Sequence, residues 1–224
     1  MEIKWYGQSC FEVKTQDATL VFDPYCQDIG LKLPKLVADI VLISHQHSDH
    51  NNVEAVSGMS KDKKPFVVSN PGEYEVSGVY ILGISSFHDK SEGAERGLNT
   101  IYTVDGENIR LCHLGDLGHN LSNGELEKIG DVDILFVPVG GEYTIDAAEA
   151  AAMINQIDPE IAIPMHYKIP GLNLDLDDLE NFAKQVKISN LEGEDVLKIT
   201  KDQLPKEERK MVILKPKSGK IRVE

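Results

Sequence analysis

The sequence predicts a layered domain of mixed α and β structure, in the α+β or α/β class, running as one unit through residues 1–224. Short apolar or alternating runs recur between clusters of Gly, Pro, Asn and Asp, which is the pattern of strands separated by turns. Helix signals follow each of two such runs of strands, and no linker or low-complexity stretch divides the chain.

The first elements alternate with period two. Glu2 to Tyr6 and Cys10 to Lys14 read as strands joined through Gly7-Gln8-Ser9, and Thr19 to Phe22 as a third, so an antiparallel meander is expected. Asp23-Pro24 ends it; Asp23 is expected as a turn former, with buttressing of the following histidine loop as the alternative. Ala38 to Ile43 is apolar enough for a buried strand. Val53 to Met59 is expected as a short helix, Pro65 to Ser69 as a strand, Asn70 to Tyr74 as a turn and Val76 to Phe87 as a strand. Lys61 to Lys64 and Lys90 to Gly97 read as solvated loops. Thr100 to Val104 and Ile109 to Leu114 form a hairpin signal turning at Asp105-Gly106. Helical turns are expected at Glu125 to Ile129, and strands at Asp133 to Val139, Ile161 to Met165 and Met211 to Leu214. Asp146 with Glu149 is a capping box opening an alanine-rich helix to Ile157, and an acidic loop from Gly171 leads into a helix over Leu179 to Val186.

Composition narrows the function. No apolar run approaches the roughly 20 residues of a membrane span, and Met1 to Tyr6 shows no secretion signal, so a cytoplasmic protein with no membrane partner is expected. Cys10, Cys26 and Cys112 are odd in number and far apart, which excludes a disulfide framework. A net charge of −14 disfavours nucleic acid as a partner, since a local basic patch would have to overcome the field of the whole molecule. A small-molecule substrate fits better, and a homo-oligomer is compatible with the composition.

The densest chemistry is His45-Gln46-His47-Ser48-Asp49-His50, which places three of the seven histidines and an aspartate directly after a buried strand. If the strand direction persists, His45 and His47 point the same way, and the turning chain can bring Asp49 and His50 towards a neighbouring point. One segment could thus supply ligands to two adjacent ions. Three further apolar segments also end in candidate ligands, at His88, Asp116 and His166, and loops at one edge of a sheet lie close in space.

The ordered set His45-x-His47-x-Asp49-His50, His88, Gly115-Asp116 and Pro164-Met165-His166-Tyr167 resembles the signature of the metallo-β-lactamase superfamily. Trp5-Tyr6-Gly7, Phe22-Asp23-Pro24 and Pro138-Val139-Gly140-Gly141 make it most similar to the small zinc-dependent hydrolases related to L-ascorbate 6-phosphate lactonase, over about residues 1–170. The resemblance implies a four-layer αββα sandwich with mixed sheets and a site at their edge. It implies two divalent ions, zinc first and manganese second. His45, His47 and His88 would hold one, Asp49, His50 and His166 the other, and Asp116 would bridge them. His113 and His119 compete with His88; His88 is preferred because it follows a strand end. Asp49 and Asp116 are the expected catalytic carboxylates, orienting water or passing protons. Asn99, His119 and Tyr167 are expected near substrate, and His113 in the packing.

The implied reaction is metal-assisted hydrolysis of a small ester, lactone or phosphodiester. A metal-containing binding or regulatory protein, and a nuclease of the same superfamily, are the alternatives. His47 stands where the flavodiiron members carry glutamate, which disfavours oxygen reduction.

Overall fold

Strands β1 (Glu2–Trp5), β2 (Phe11–Lys14) and β3 (Thr19–Phe22) form the expected antiparallel meander, in register Trp5 to Phe11 and Phe11 to Phe22. The structure is a computed structural model and describes residues 1–60 and 62–220. Lys61 of the expected lysine-rich loop and residues 221–224 of the expected single domain lie outside the described residues. Short strands β4 (Leu31–Lys32) and β5 (Leu36–Ala38) lead to β6 (Ile40–Leu42), which crosses over to pair in parallel with β3.

The expected helix over Val53 to Met59 is not formed. A single 3-10 turn at Val53–Ala55 gives way to strand β7 (Val56–Gly58), which pairs in parallel with β5 and buries Val56. Helix propensity in a seven-residue stretch with two valines and a glycine is weak, and pairing with β5 outweighs it. After β8 (Phe66–Val68), the expected turn at Asn70 to Tyr74 is also corrected: β9 (Gly72–Val76) and β10 (Val79–Phe87) are a hairpin. Its turn is Ser77-Gly78, both with positive φ, and the backbone twist of such a two-residue turn matches that of the strands. The next hairpin, β11 (Leu98–Gly106) and β12 (Ile109–His113), turns at Glu107-Asn108 rather than Asp105-Gly106; both turn residues have positive φ, and Gly106 pairs with Ile109.

Helix α1 (Asn123–Ile129) opens with a capping box at Ser122 and is followed by β13 (Ile134–Pro138). The Asp146 and Glu149 capping box opens α2 (Ala147–Ile157), whose buried Ala150, Met153, Ile154 and Ile157 share one face. Then come β14 (Ile161–Met165), α3 (Leu179–Val186), and the short strands β15 (Leu197–Lys198), β16 (Lys210–Met211) and β17 (Gly219–Lys220). The last expected strand, Met211 to Leu214, reduces to β16 and an isolated bridge at Leu214.

These strands build two mixed sheets, in the orders β15-β1-β2-β3-β6-β8 and β16-β14-β13-β12-β11-β10-β9. Their inner faces meet through Phe11, which stacks on Phe136 at 4.0 Å between ring centroids, and Phe22, whose ring stacks on His113 at 4.9 Å. An aromatic stack of this kind adds about 0.5–1.5 kcal/mol to the burial of the rings. Strand β13 is buried along its whole length because α2 covers its outer side. Strands β10, β12, β13 and β14 run the same way, so their C-terminal ends share one edge of the second sheet. The end of β6 is tied to that sheet: Thr100 N–H donates to Ser44 O at 2.8 Å and Tyr102 Oη to Ile43 O at 2.9 Å. No helix among the described residues is long and apolar enough to cross a membrane.

Candidate metal centre

Four chain segments deliver their side chains to this common edge. His45 to His50 follow β6, His88 follows β10, Asp116 follows β12 and His166 follows β14. The structure gathers His45, His47 and His88 into one group of donor atoms and Asp49, His50, Asp116 and His166 into a second. Their common point is Asp116 Oδ2. It lies 3.1 Å from His50 Nε2, 3.1 Å from His166 Nε2, 3.4 Å from His88 Nε2 and 4.0 Å from His45 Nε2.

Neither rival of His88 joins the cluster. His113 is fully buried between Phe22 and Phe136, its Nε2 paired with Ser9 O at 3.0 Å and its Nδ1 accepting from Gly115 N–H at 3.1 Å. Those partners fix the proton on Nε2, and burial holds the ring's pKa down, so it is neutral. His119 accepts from Phe87 N–H at 3.2 Å and bonds Asn120 O at 2.9 Å, which occupies both ring nitrogens.

An outer layer of polar residues sets the directions of the candidate ligands. The buried Asp23 accepts from Ser44 N–H at 2.7 Å, from Ser44 Oγ at 2.6 Å and from His50 Nδ1 at 3.0 Å, while Ser44 Oγ lies 3.0 Å from His45 Nδ1. One carboxylate therefore orients a histidine of each group, in the manner of outer-shell carboxylates behind metal-bound imidazoles. Asp23 is thus more than the turn former expected from the sequence, although its φ of 42° shows that it turns the chain as well. Gln8 Nε2 donates to Asp49 Oδ2 at 2.9 Å, and Ser9 Oγ to Asp116 Oδ1 at 3.3 Å, so the β1–β2 turn closes the site from the first sheet. The sequence carried no sign of this beyond the placement of Gln8 and Ser9 in that turn.

Two backbone features hold the remaining candidate ligands. Gly115 has φ +58°, and a Cβ there would lie 2.3 Å from Asn99 Oδ1 and 2.7 Å from Ser44 Cβ. His166 itself has φ +54°, a conformation uncommon for a side chain of that size, and it is held by its N–H bond to Gln8 O at 3.2 Å.

The donor set fits divalent metal. His45 Nε2 is buried and makes no hydrogen bond, an arrangement that is costly unless an electrophile completes it. Burial would raise the Asp116 carboxyl, but His166 and His50 hold it well below the usual carboxylate range. Burial, with repulsion from His50, drives the His45 pKa down, and burial lowers that of His88. His50 is the exception: burial opposes its charge, yet Asp116, Asp49 and Asp23 raise its pKa well above the ordinary value. An ion taken up at that position would therefore release a proton. All donors are nitrogen or oxygen, a set suited to zinc and compatible with manganese.

The cluster opens on a cavity of about 360 Å³ whose walls include His47, Asp49, His88, Asp116 and His166. The expected substrate neighbours are not its lining. Tyr167 is buried against Trp5 with ring centroids 5.0 Å apart, and His119 is occupied as described. Asn99 borders an adjoining hollow but spends its amide inward, donating to Ser86 Oγ at 2.8 Å and Leu114 O at 2.9 Å and accepting from Asp116 N–H at 3.0 Å. Its place is behind Asp116. The remaining walls are Glu95 and Arg96 of the Lys90 to Gly97 loop, Leu174 of the Tyr167 to Asp178 loop, and Tyr143; the sequence pointed to these two loops as the place of substrate specificity without naming a residue in them, and carried no sign of Tyr143.

Comparison with known proteins places this geometry. A family model described as a beta-lactamase superfamily domain matches residues 2–166. A UPF0173 protein of Pyrococcus abyssi is 32% identical over 195 residues, covering 76% of this chain and 85% of that one. A UPF0173 metal-dependent hydrolase of Methanopyrus kandleri is 28% identical over 225 residues, covering 88% and 96%. A solved structure from Thermotoga maritima, described as a zinc-dependent hydrolase of the metallo-β-lactamase superfamily, superposes with a TM-score of 0.77 at 36% identity, covering 95% of this chain and 97% of that one. The two facing mixed sheets are the αββα sandwich of that group. By the span of the family model and the identity to these relatives, the chain belongs to the metallo-β-lactamase superfamily.

Proposed function

We propose that the protein is a dinuclear metal-dependent hydrolase of a small ester, lactone or phosphodiester, cytoplasmic and folded as one domain over residues 1–224. The observation that carries this reading is the approach of four histidine Nε2 atoms to within 3.1–4.0 Å of the single oxygen Asp116 Oδ2. His45, His47 and His88 would hold one ion, Asp49, His50 and His166 the other, with Asp116 shared. Two ions of zinc, or alternatively manganese, bound there supply Lewis acidity and a water acidified towards neutral pH.

The chain's own residues orient and exchange protons. Ser9 and Asn99 fix Asp116 from both sides, and Asp23 fixes the rings of His50 and, through Ser44, His45. Gln8 donates to Asp49 Oδ2 and so fixes the direction of a carboxylate that would help hold the second ion and orient the attacking water. Asp49 and Asp116 are the proposed catalytic carboxylates. His47, exposed, and Asp49, half-buried, face the cavity, and this opening supports a catalytic centre over a closed structural one. The nuclease alternative is disfavoured by the net charge of −14.

Metal analysis of the purified protein should give two divalent ions per chain. The protein loaded with Zn²⁺ or Mn²⁺ should cleave members of a panel of chromogenic esters, lactones and phosphodiesters, and His45→Ala should lose metal while staying folded. A folded protein that binds no divalent ion would overturn this assignment.

A further inference from the structure

The cavity beside the ligands carries an unspent cation. Resting on the hydrolase reading above, we propose that Arg96 determines specificity by binding an oxyanion, carboxylate or phosphate, that the substrate carries beside the bond to be cleaved. Arg96 lines the 360 Å³ cavity with His47, His88 and His166, and also an adjoining hollow of about 300 Å³ that reaches His45. It is the one Lys or Arg in either lining.

Its guanidinium is free for a ligand. Arg110 pairs with Asp105 and Arg209 with Asp158, whereas Arg96 has no carboxylate partner among the described residues and lies over the Tyr143 ring, 5.4 Å from its centroid. A contact with an aromatic face does not consume the guanidinium's N–H donors, whose planar fork matches carboxylate and phosphate oxygens. Glu95, the neighbouring acid in the wall, accepts from Ser91 Oγ at 2.8 Å.

The loop presents Arg96 from a fixed position. Asp89, adjacent to the ligand His88, is buried and accepts backbone N–H groups from Ser91 at 2.8 Å, Gly93 at 2.9 Å, Glu95 at 3.0 Å and Arg96 at 2.7 Å. Lys90 anchors the loop to α2 through Glu149 at 2.5 Å. A donor tied this closely to a ligand strand is placed relative to the reacting bond, which is what discrimination between substrates requires. With the two ions engaged at the bond to be cleaved, an oxyanion carried beside that bond would rest on Arg96 against the repulsion of the net charge of −14. Tyr143 is then a positioning residue for Arg96.

The test compares Zn²⁺-loaded wild type, Arg96→Ala and Arg96→Lys on two esters that differ only in the acyl end, p-nitrophenyl acetate and mono-p-nitrophenyl glutarate. Arg96→Ala should lose roughly 10- to 100-fold in kcat/KM on the glutarate ester, stay within about twofold on the acetate, and keep its melting temperature, because a charge-assisted pair is lost on one substrate only. Arg96→Lys should recover part of the loss. Tyr143→Ala should raise KM on the glutarate ester, and Tyr143→Phe should restore it. Calorimetry gives a second readout: the wild type should prefer glutarate to pentanoate and 3-phosphonopropionate to propionate, with the larger preference naming the oxyanion, and Arg96→Ala should abolish both. Equal losses on the two esters, or anion preferences unchanged in Arg96→Ala, would overturn the assignment. If the loaded wild type cleaves neither ester, the hydrolase reading fails for such esters, and the binding preferences still decide the role of Arg96.

Discussion

Asp23→Asn isolates the outer layer of the centre with little geometric disturbance. Asparagine is isosteric and tolerates the left-handed backbone that Asp23 adopts at φ 42°. Its side-chain oxygen can still accept from Ser44 N–H, which lies 2.7 Å from Asp23 Oδ1. The other terminal atom becomes an NH₂ facing Ser44 Oγ at 2.6 Å and His50 Nδ1 at 3.0 Å. To accept from that group, His50 must carry its proton on Nε2, the atom 3.1 Å from Asp116 Oδ2 and 3.2 Å from Asp49 Oδ2. The nitrogen that should bind metal is then blocked. Loss of an outer partner of this kind weakens metal binding about 10- to 100-fold, or about 1.4–2.7 kcal/mol. The loss should fall on the ion held by Asp49, His50 and His166; the His45 group, reached only through Ser44, should lose less. Competition of the metal-free protein against a chromophoric chelator during Zn²⁺ titration resolves the two affinities. Wild-type affinity at both positions in a folded Asp23→Asn protein would refute the argument that Asp23 sets the His50 tautomer.

Four further substitutions probe the rest of the site. His88→Ala should abolish hydrolysis and remove one ion with the fold intact, whereas His113→Ala should keep both ions but lose about 2–4 kcal/mol of stability, since it empties a stack between Phe22 and Phe136 and strands Ser9 O and Gly115 N–H; chemical denaturation with metal analysis separates the two. Although burial raises the Asp89 carboxyl, the N–H groups of Arg96, Ser91, Gly93 and Glu95 bring it down to about 2, so its hold on the loop is complete above the ordinary carboxylate pKa of about 3.9 and fades as pH falls towards 2. Asp89→Asn should accordingly speed amide exchange at residues 91–96 at neutral pH with little change in the core strands. Gly115→Ala should cost at least about 2 kcal/mol and displace Asp116, read as lower melting temperature and lost metal, because the added Cβ meets Asn99 Oδ1 at 2.3 Å in a left-handed conformation.

Much of the centre was legible because its chemistry is local. His45, His47, Asp49 and His50 lie within one short segment, and His88, Asp116 and His166 each follow an apolar run, so period and punctuation were enough to nominate them. The α2 capping box was legible for the same reason: Asp146 and Glu149 satisfy each other within a single turn. Where the signal depended on a distant partner, it failed. Val53 to Met59 lacks any local mark of the parallel pairing that makes Val56 to Gly58 a strand, and the turn at Glu107-Asn108 was set by the register of β11 on β12, which composition does not reveal.

By itself, then, the sequence determined the layered class, the strands that carry the histidine and aspartate cluster, and the identity of the candidate ligands, since these follow from side-chain type and spacing along the chain. Only the tertiary structure decided what each polar group faces. It brought His88 to the cluster and turned His113 into the core, set Asp23 behind His50 and Ser44, drew Asn99 away from the cavity, and left Arg96 in its wall. The physical reason is that alternation along a strand fixes which face a side chain takes, while the group across from it comes from another strand, whose register is fixed by the packing of the two sheets as a whole.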